Sequence, residues 1–386
     1  MSMATRASSW RSDRPEPPPV QARRRRTRLV VGALLALAAS AKGQSIDPGL
    51  PIPGARSVYV LDLPFLHFGP LDVSAPRPGS VSLDFDVAYG NTFSHTWHAQ
   101  AIHNEFGLNG LPFSREEAEI LHGRHPQDFI AFVDADVTRL AVRATLGLTE
   151  NISAAVEVPY VSFTGLRLDS AVEFFHSVFG LYDEERKSFP KNQYLVVRQR
   201  PFGPLEYDDR TPTAGLSDVV LTLRYRGEIA DALRVSADLA VKAPTGNADQ
   251  TRGSGSFDGG LLVGALYRFG KGHRFGLRAE AGLVLPGSFR GNTITTFHAT
   301  TFARLLVAAD VRTGKSTFLA ASVIWDQSPF RRDSVGDEAV TSVGYALGLS
   351  RRLGDHLVAS LAFLDHLPRM GDDTDFSLAL SVKFVP

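Results

Sequence analysis

The chain is 386 residues long, contains no cysteine, and balances 41 basic against 41 acidic side chains. A net charge of zero argues against nucleic-acid binding. The absence of cysteine excludes a disulfide framework and any thiol or cysteine–metal chemistry. The mean hydropathy is close to zero, which is too polar for a helical membrane protein but typical of a barrel in which every second residue faces lipid.

The N-terminal region has the order of charge and hydropathy that is typical of an export signal. Basic residues at 23–26 precede an apolar run over residues 29–39, which ends in small residues at 39–41. This order predicts a secretory signal peptide over residues 23–41 behind a disordered extension, residues 1–22. The apolar run is far shorter than the roughly 20 residues that a spanning helix needs. We therefore expect export across the inner membrane and a Pro-rich periplasmic lead-in over residues 42–80.

Downstream of residue 80, apolar and polar residues alternate in twelve segments. They are residues 81–90, 129–146, 152–161, 218–226, 233–242, 257–269, 274–285, 300–311, 317–325, 341–352, 356–365 and 375–384. A period of two places successive side chains on opposite faces, so one face can meet lipid while the other meets a wet lumen. The segments predict an all-β fold, an antiparallel transmembrane β-barrel of about twelve strands over residues 81–386.

The connections between these segments alternate between short and long, as do the periplasmic turns and outer loops of outer-membrane barrels. The protein is therefore expected in the outer membrane, surrounded by lipid, with both chain ends in the periplasm. The last segment, DFSLALSVKF, alternates throughout and ends near an aromatic residue. We expect the barrel assembly machinery to recognise this C-terminal strand.

The parity of the alternation places charged side chains of both signs inside the barrel. The candidates for the lumen and its selectivity are Asp218, Arg224, Lys242, Arg278 and Glu280. Charges are costly against lipid, so a position in the lumen is required. Two interpretations stay open, because opposite charges can pair and hold a narrow barrel shut, or can line a channel.

One long loop carries a helical pattern. A capping-box pattern at residues 170–173 is followed by the helical spacing of Phe175, Phe179 and Tyr182, with His176 on the polar side. The pattern predicts a short amphipathic helix that ends near residue 185. This helix either packs the loop or restricts access to the barrel as a gate.

Three stretches around this loop resemble a known family. They are DSAVEFFHSVFGLYDEERKSFP at 169–190, AGLSDVVLTLRY at 214–225 and VKAPTGNADQTRGSGSFDGGL at 241–261. Together they are similar to the uncharacterised exported family known as domain of unknown function 3187. The chain resembles, more weakly, barrel proteins associated with phenol-degradation gene clusters. The first resemblance implies an outer-membrane barrel of unknown activity.

Histidines are dense in the first long loop. They are His95, His98, His103, His122 and His125. The spacing His122-x-x-His125, with Glu119 nearby, is compatible with a bound metal. Loop histidines without a clear ligand set are usually solvated, so the sequence predicts neither a metal nor a cofactor.

The expected function is passive passage or binding of small molecules, hydrophobic ones among them. A non-conducting structural or adhesive barrel is the alternative. A lipid hydrolase at the barrel rim would need a complete Ser–His–acid arrangement. The chain offers only His176 beside Ser177, which are sequence neighbours and point about 100° apart on a helix. The sequence therefore predicts a protein that is not an enzyme.

Overall fold

The computed structural model describes residues 58–72, 76–164, 170, 173–174, 177, 188–191, 193–291, 299–314, 316–330, 341–366 and 376–384. The regular elements of this part of the chain are β1 Val81–His95, α1 Trp97–Glu105, α2 Arg115–Arg124, β2 Ile130–Gly147, β3 Ile152–Ser162, β4 Leu195–Gln199, β5 Leu205–Asp208, β6 Gly215–Leu216, β7 Val219–Ala230, β8 Leu233–Ala243, β9 Asp258–Phe269, β10 Phe275–Leu285, β11 Phe302–Arg312, β12 Thr317–Gln327, β13 Thr341–Arg352, β14 Leu357–His366 and β15 Phe376–Phe384. No helix among the described residues has the length and apolarity needed to cross a membrane.

Twelve of the described strands, β1–β3 and β7–β15, form one closed antiparallel barrel. Each pairs with its neighbours in the chain, and β1 pairs with β2 on one side and with β15 on the other. The closing register sets Leu83 opposite Phe384. Closure gives each of these twelve strands a partner on both sides, so the barrel formed by the described residues has no edge strand. The predicted fold class and strand number are confirmed.

The two faces of the strands separate by parity, as the sequence predicts. Along β10, residues alternate between exposed apolar side chains on the outside and buried ones on the inside. The outer face carries large apolar side chains around the barrel, with Val307 on β11 61% exposed. Such a belt is costly in water and matches the apolar band of a transmembrane barrel.

The barrel has two different ends. At the turn end, successive strands are joined by residues 148–151, 231–232, 270–274, 313–316 and 353–356. At the loop end, the connections are residues 96–129, 163–218, 244–257, 286–301, 328–340 and 367–375. The predicted alternation of short and long connections is confirmed, and both β1 and β15 have their terminal ends at the turn end.

Residues 58–72, which we call the luminal segment, lie inside the barrel. Val58, Phe65 and Leu71 are almost fully buried and pack with inward-facing residues of the strands in one core. The sequence predicts a periplasmic position for residues 42–80, whereas residues 58–72 lie inside the barrel. The segment is irregular and mostly apolar, so it can fill space that the small inward side chains of the strands leave open.

The luminal segment runs from the loop end towards the turn end. Tyr59 and Leu61 lie beside the loop-end residues Phe129 and Phe330. At the other end of the segment, Asp72 pairs with Lys383 on the last strand. From Val58 to Asp72 the segment therefore runs from the loop end to the turn end, where β1 begins. The last strand, β15, ends at the turn end, in agreement with the predicted position of the C-terminus, whereas the N-terminus lies outside the described residues.

The loop end carries a cap that the strand pattern does not predict. We use this name for α1, α2, β4, β5 and the loop-end parts of β1 and β2. The cap has its own core, in which Phe93, Phe113, Phe132 and Phe189 pack with short contacts between their rings. β4 extends the sheet beyond the barrel by pairing with the start of β2.

The exposed belt gives a stability prediction. Val307→Arg, which places a cation midway along β11, should lower the free energy of unfolding in bilayers by about 2–4 kcal/mol. Ile229→Arg, on an exposed side chain near the turn end of β7, should cost only about 0–1 kcal/mol, because the bilayer interface is more polar. Denaturant titration of refolded protein measures both. Equal costs at the two positions would contradict the proposed position of the bilayer.

Candidate functional site

The lumen is lined by charges that pair with one another across strands of the barrel wall. Arg226 Nη1 lies 2.7 Å from Asp238 Oδ1, and Arg224 Nε lies 3.4 Å from the other oxygen of the same carboxylate. Arg268 Nη1 lies 2.5 Å from Asp310 Oδ1. All five side chains are buried. Pairing of this kind offsets part of the free-energy cost of removing these charges from water.

Near the loop end, one cation joins two carboxylates. Lys242 Nζ donates to Asp218 Oδ2 at 2.5 Å and to Ser254 Oγ at 2.7 Å, and it lies 3.3 Å from Asp258 Oδ2. The other oxygen of Asp218 accepts the amide of Gly246 at 2.7 Å. The network ties the loop after β8 to the barrel wall.

A close approach explains one of the glycines of this loop. A Cβ atom on Gly253 would lie 2.4 Å from Asp218 Oδ1. Only glycine leaves room there for the carboxylate. The Gly-Ser-Gly-Ser sequence at residues 253–256 therefore packs against a buried charge.

Two lining carboxylates accept backbone amides of the luminal segment. Asp258 Oδ2 accepts the amide of Leu66 at 2.8 Å. Glu280 Oε1 accepts the amide of Leu71 at 2.9 Å. A hydrogen bond from an amide to a buried carboxylate is stronger than one between neutral groups. The segment therefore satisfies these backbone donors without a strand partner of its own.

Lining cations contact oxygen atoms of the same segment. Arg304 Nη1 donates to the carbonyl oxygen of Phe68 at 2.7 Å. Arg226 Nε donates to the carbonyl oxygen of Asp72, and Lys383 Nζ donates to the carboxylate of Asp72. The polar contacts therefore extend along the segment to the turn end of the lumen.

Glycines on the inner face of β9 make room for the apolar side chains of the segment. A Cβ atom on Gly260 would lie 2.8 Å from the ring of Phe68, and one on Gly264 would lie 2.8 Å from Leu71 Cδ1. The lumen wall and the luminal segment are therefore complementary in shape as well as in charge.

The five predicted lumen residues are all buried inside the barrel, but they do not form one cluster. Asp218 and Lys242 contact each other near the loop end. Arg224 pairs with Asp238, and Arg278 contacts Glu280. Their role in selectivity stays a prediction. The segment that fills the lumen has no local sequence signal, because its contacts with the wall join residues 192 and 209 positions apart.

The predicted gate helix is only partly described. Ser170, Glu173, Phe174 and Ser177 are helical, and Glu173 pairs with Lys191. The gate residues Phe175, His176, Phe179 and Tyr182 lie outside the described residues.

A pocket that is partly open to solvent lies at the loop end above the lumen. Its lining comprises Tyr59, Leu61, Asp62, Phe129, Ala131, Val133, Val196, Val197, Arg198, Asp326, Gln327, Ser328, Phe330, Thr341 and Ser342. Burial lowers the pKa of the Arg198 guanidinium to about 10, so this side chain stays cationic at neutral pH. The lining of the pocket is mainly apolar and carries one cation, Arg198 of β4, together with the carboxylates of Asp62 and Asp326.

The fold and its interior define a transmembrane-type β-barrel whose lumen holds a segment of its own chain. Residues 126–385 match the family described as "Protein of unknown function (DUF3187)". The chain belongs to this family, as the sequence resemblance predicts.

No curated protein matches the chain. Among solved structures, an outer membrane channel from Pseudomonas putida F1 is similar at 14% identity, with 83% of this chain and 100% of that chain covered and a TM-score of 0.49. A Pseudomonas aeruginosa FadL homologue is similar at 11% identity, with 87% and 100% covered and a TM-score of 0.37. The CymD monoaromatic hydrocarbon channel is similar at 10% identity, with 79% and 87% covered and a TM-score of 0.32. Similarities of this size carry no argument about what this chain binds.

The network around Lys242 gives a second stability prediction. Lys242→Met removes the cation between two buried carboxylates, and we expect it to lower the free energy of unfolding by about 3–5 kcal/mol. Adding Asp218→Asn should recover part of the lost free energy of unfolding, because it removes one of the two carboxylate charges that Lys242→Met leaves uncompensated. Denaturant titration of both variants measures the effect. A single variant as stable as the wild type would contradict the assigned role of Lys242.

Proposed function

We propose that this protein is an outer-membrane channel for small molecules whose resting lumen is closed by the luminal segment. The loop end would face the outside and the turn end the periplasm, as is usual for such barrels. The exposed apolar belt and the closed barrel support a membrane position. The polar, charged interior supports passage through the lumen, because a wall that only needed to be filled would be packed with apolar side chains.

The observation that carries the proposal is how the luminal segment is held. Its backbone bonds to lining charges, as at Leu66 and Leu71, but it supplies few of the partners that those charges need. Pairs such as Arg226 with Asp238 are made within the wall. Displacement of the segment would therefore leave a paired, wettable wall instead of a set of buried, uncompensated charges.

The loop-end pocket suggests the class of cargo. Its floor is the luminal segment itself, through Tyr59, Leu61 and Asp62, and its walls are mainly apolar. A small apolar or aromatic molecule with a polar group near Arg198 fits this lining. Such a molecule would contact the end of the segment that it has to displace, so binding and opening would be coupled.

Two partners belong to the proposal. Outer-membrane lipid would surround the exposed belt. The assembly machinery would recognise β15, the strand that closes the barrel against β1.

A non-conducting structural or adhesive barrel is the second candidate. The cap favours this candidate. Its separately packed core would support a stable surface at the loop end, and that surface could make contacts outside the cell. A lipid hydrolase has less support. The sequence offers only His176 beside Ser177, and neighbours on a helix point about 100° apart.

Single-channel recording in planar bilayers tests the proposal. We expect wild-type protein in KCl to show rare, brief openings, and a variant that lacks residues 42–72 to show a steady conductance, because its lumen is empty. Folding of each sample is checked by heat-modifiable gel migration. A folded deletion variant that stays silent would contradict the channel and favour the structural barrel.

A cross-link separates displacement of the segment from other kinds of gating. Leu71→Cys with Gly264→Cys places two thiols on side chains in close contact, in a chain that has no other cysteine. A short disulfide-containing bifunctional thiol reagent should abolish the openings, and reductant should restore them. The untreated double variant and the treated Leu71→Cys variant are the controls, because a side chain at position 264 would crowd Leu71. Unchanged openings in the cross-linked protein would show that the segment does not close the lumen.

A further inference from the structure

Three side chains from separate parts of the cap meet near its surface. His98 lies on α1, His125 follows the last residue of α2, and Asp128 lies in the turn before β2. His98 Nε2 is 3.3 Å and His125 Nδ1 is 3.1 Å from the same oxygen, Asp128 Oδ2. The three candidate ligand atoms all lie within 4.8 Å of one another, and the side chains are half-buried.

We propose that His98, His125 and Asp128 bind a divalent transition-metal ion. Zinc bonds to histidine nitrogen and carboxylate oxygen are about 2.0–2.2 Å long, so two ligands in a tetrahedral site are about 3.3–3.5 Å apart. The two nitrogen–oxygen separations are close to this value, and an ion could enter after small movements of the side chains.

The ligand types indicate which ions fit. Two imidazoles and one carboxylate suit zinc and its neighbours in the first transition row, whereas calcium and magnesium prefer all-oxygen sites. Three protein ligands leave a fourth position for water or another small ligand. The site would bind best when both imidazoles are neutral and the carboxylate is ionised, so acid should release the ion.

Hydrogen bonds from β4 and within the turn fix the backbone of His125 and Asp128. Gln199 on β4 donates from Nε2 to the carbonyl oxygen of His125 at 2.7 Å and to that of Asp128 at 3.2 Å. The amide of Asp128 donates to the carbonyl oxygen of His125 at 3.1 Å. Hydrogen bonds of this kind outside the ligand shell fix the ligands before the ion arrives.

The site differs from the pair that the sequence suggests. His122 Nδ1 lies 2.9 Å from Gln199 Oε1, and Glu119 is exposed. The spacing of His122 and His125 therefore does not make a site, whereas the fold brings in His98 from 27 positions earlier in the chain. We expect the ion to fasten α1 to the turn before β2, in addition to the pair of Arg124 with Glu105.

Zinc titration of the intact, folded protein tests the proposal. The protein is purified in detergent without a histidine tag and titrated with Zn²⁺ by calorimetry, and Co²⁺ absorption reports the coordination geometry. We expect one ion per chain, with tetrahedral cobalt bands. His98→Ala and His125→Ala should each weaken binding at least tenfold, and Asp128→Asn should weaken it as well, because each removes a ligand.

Two further variants make the test specific. His122→Ala should weaken binding much less than loss of a ligand does, because its ring contacts Gln199 and not the proposed ion. His356→Ala, at the turn end of the barrel, is the matched control for loss of one histidine. No zinc binding by the folded wild type, or binding that persists when His98 and His125 are both replaced, would show that the three side chains form hydrogen bonds only.

Discussion

Charges that point into the barrel must find partners, and much of this structure follows from that constraint. The period of two gives every strand an inner face, and on most strands this face carries a charge that cannot turn towards lipid. Opposite charges therefore pair across strands, as Arg268 does with Asp310. The lining carboxylates can also accept hydrogen bonds from backbone amides, and the luminal segment donates the amides of Leu66 and Leu71.

The barrel was predictable from sequence because its signal is local. Alternation within about ten residues marks each strand, and the lengths of the connections give the order of turns and loops. The luminal segment leaves no such signal, since its bonds join residues 192 and 209 positions apart. Its prolines and apolar residues suggest a lead-in. The need for glycine at positions 260 and 264 of β9 is explained only by the close approach of Phe68 and Leu71.

The cap and its proposed metal site show the same limit. The sequence shows that the first loop is rich in histidine, but the packing of α1, α2 and β4 determines which of these histidines lie close together. Gln199 takes His122 as a partner and fixes the backbone of His125 and Asp128. Arg198, the neighbour of Gln199 on β4, faces the loop-end pocket instead. One short strand therefore connects the proposed metal site to the pocket above the luminal segment.

The central claim is that the luminal segment enters the lumen from the loop end. Double electron–electron resonance tests it, because the chain has no native cysteine and spin labels can be placed in pairs. One double variant carries Leu63→Cys and Ser328→Cys, and a second carries Leu63→Cys and Gly354→Cys. The account predicts a short distance from position 63 to position 328 at the loop end, and a long distance to position 354 at the turn end. The reverse order would place residue 63 at the turn end and would contradict the account.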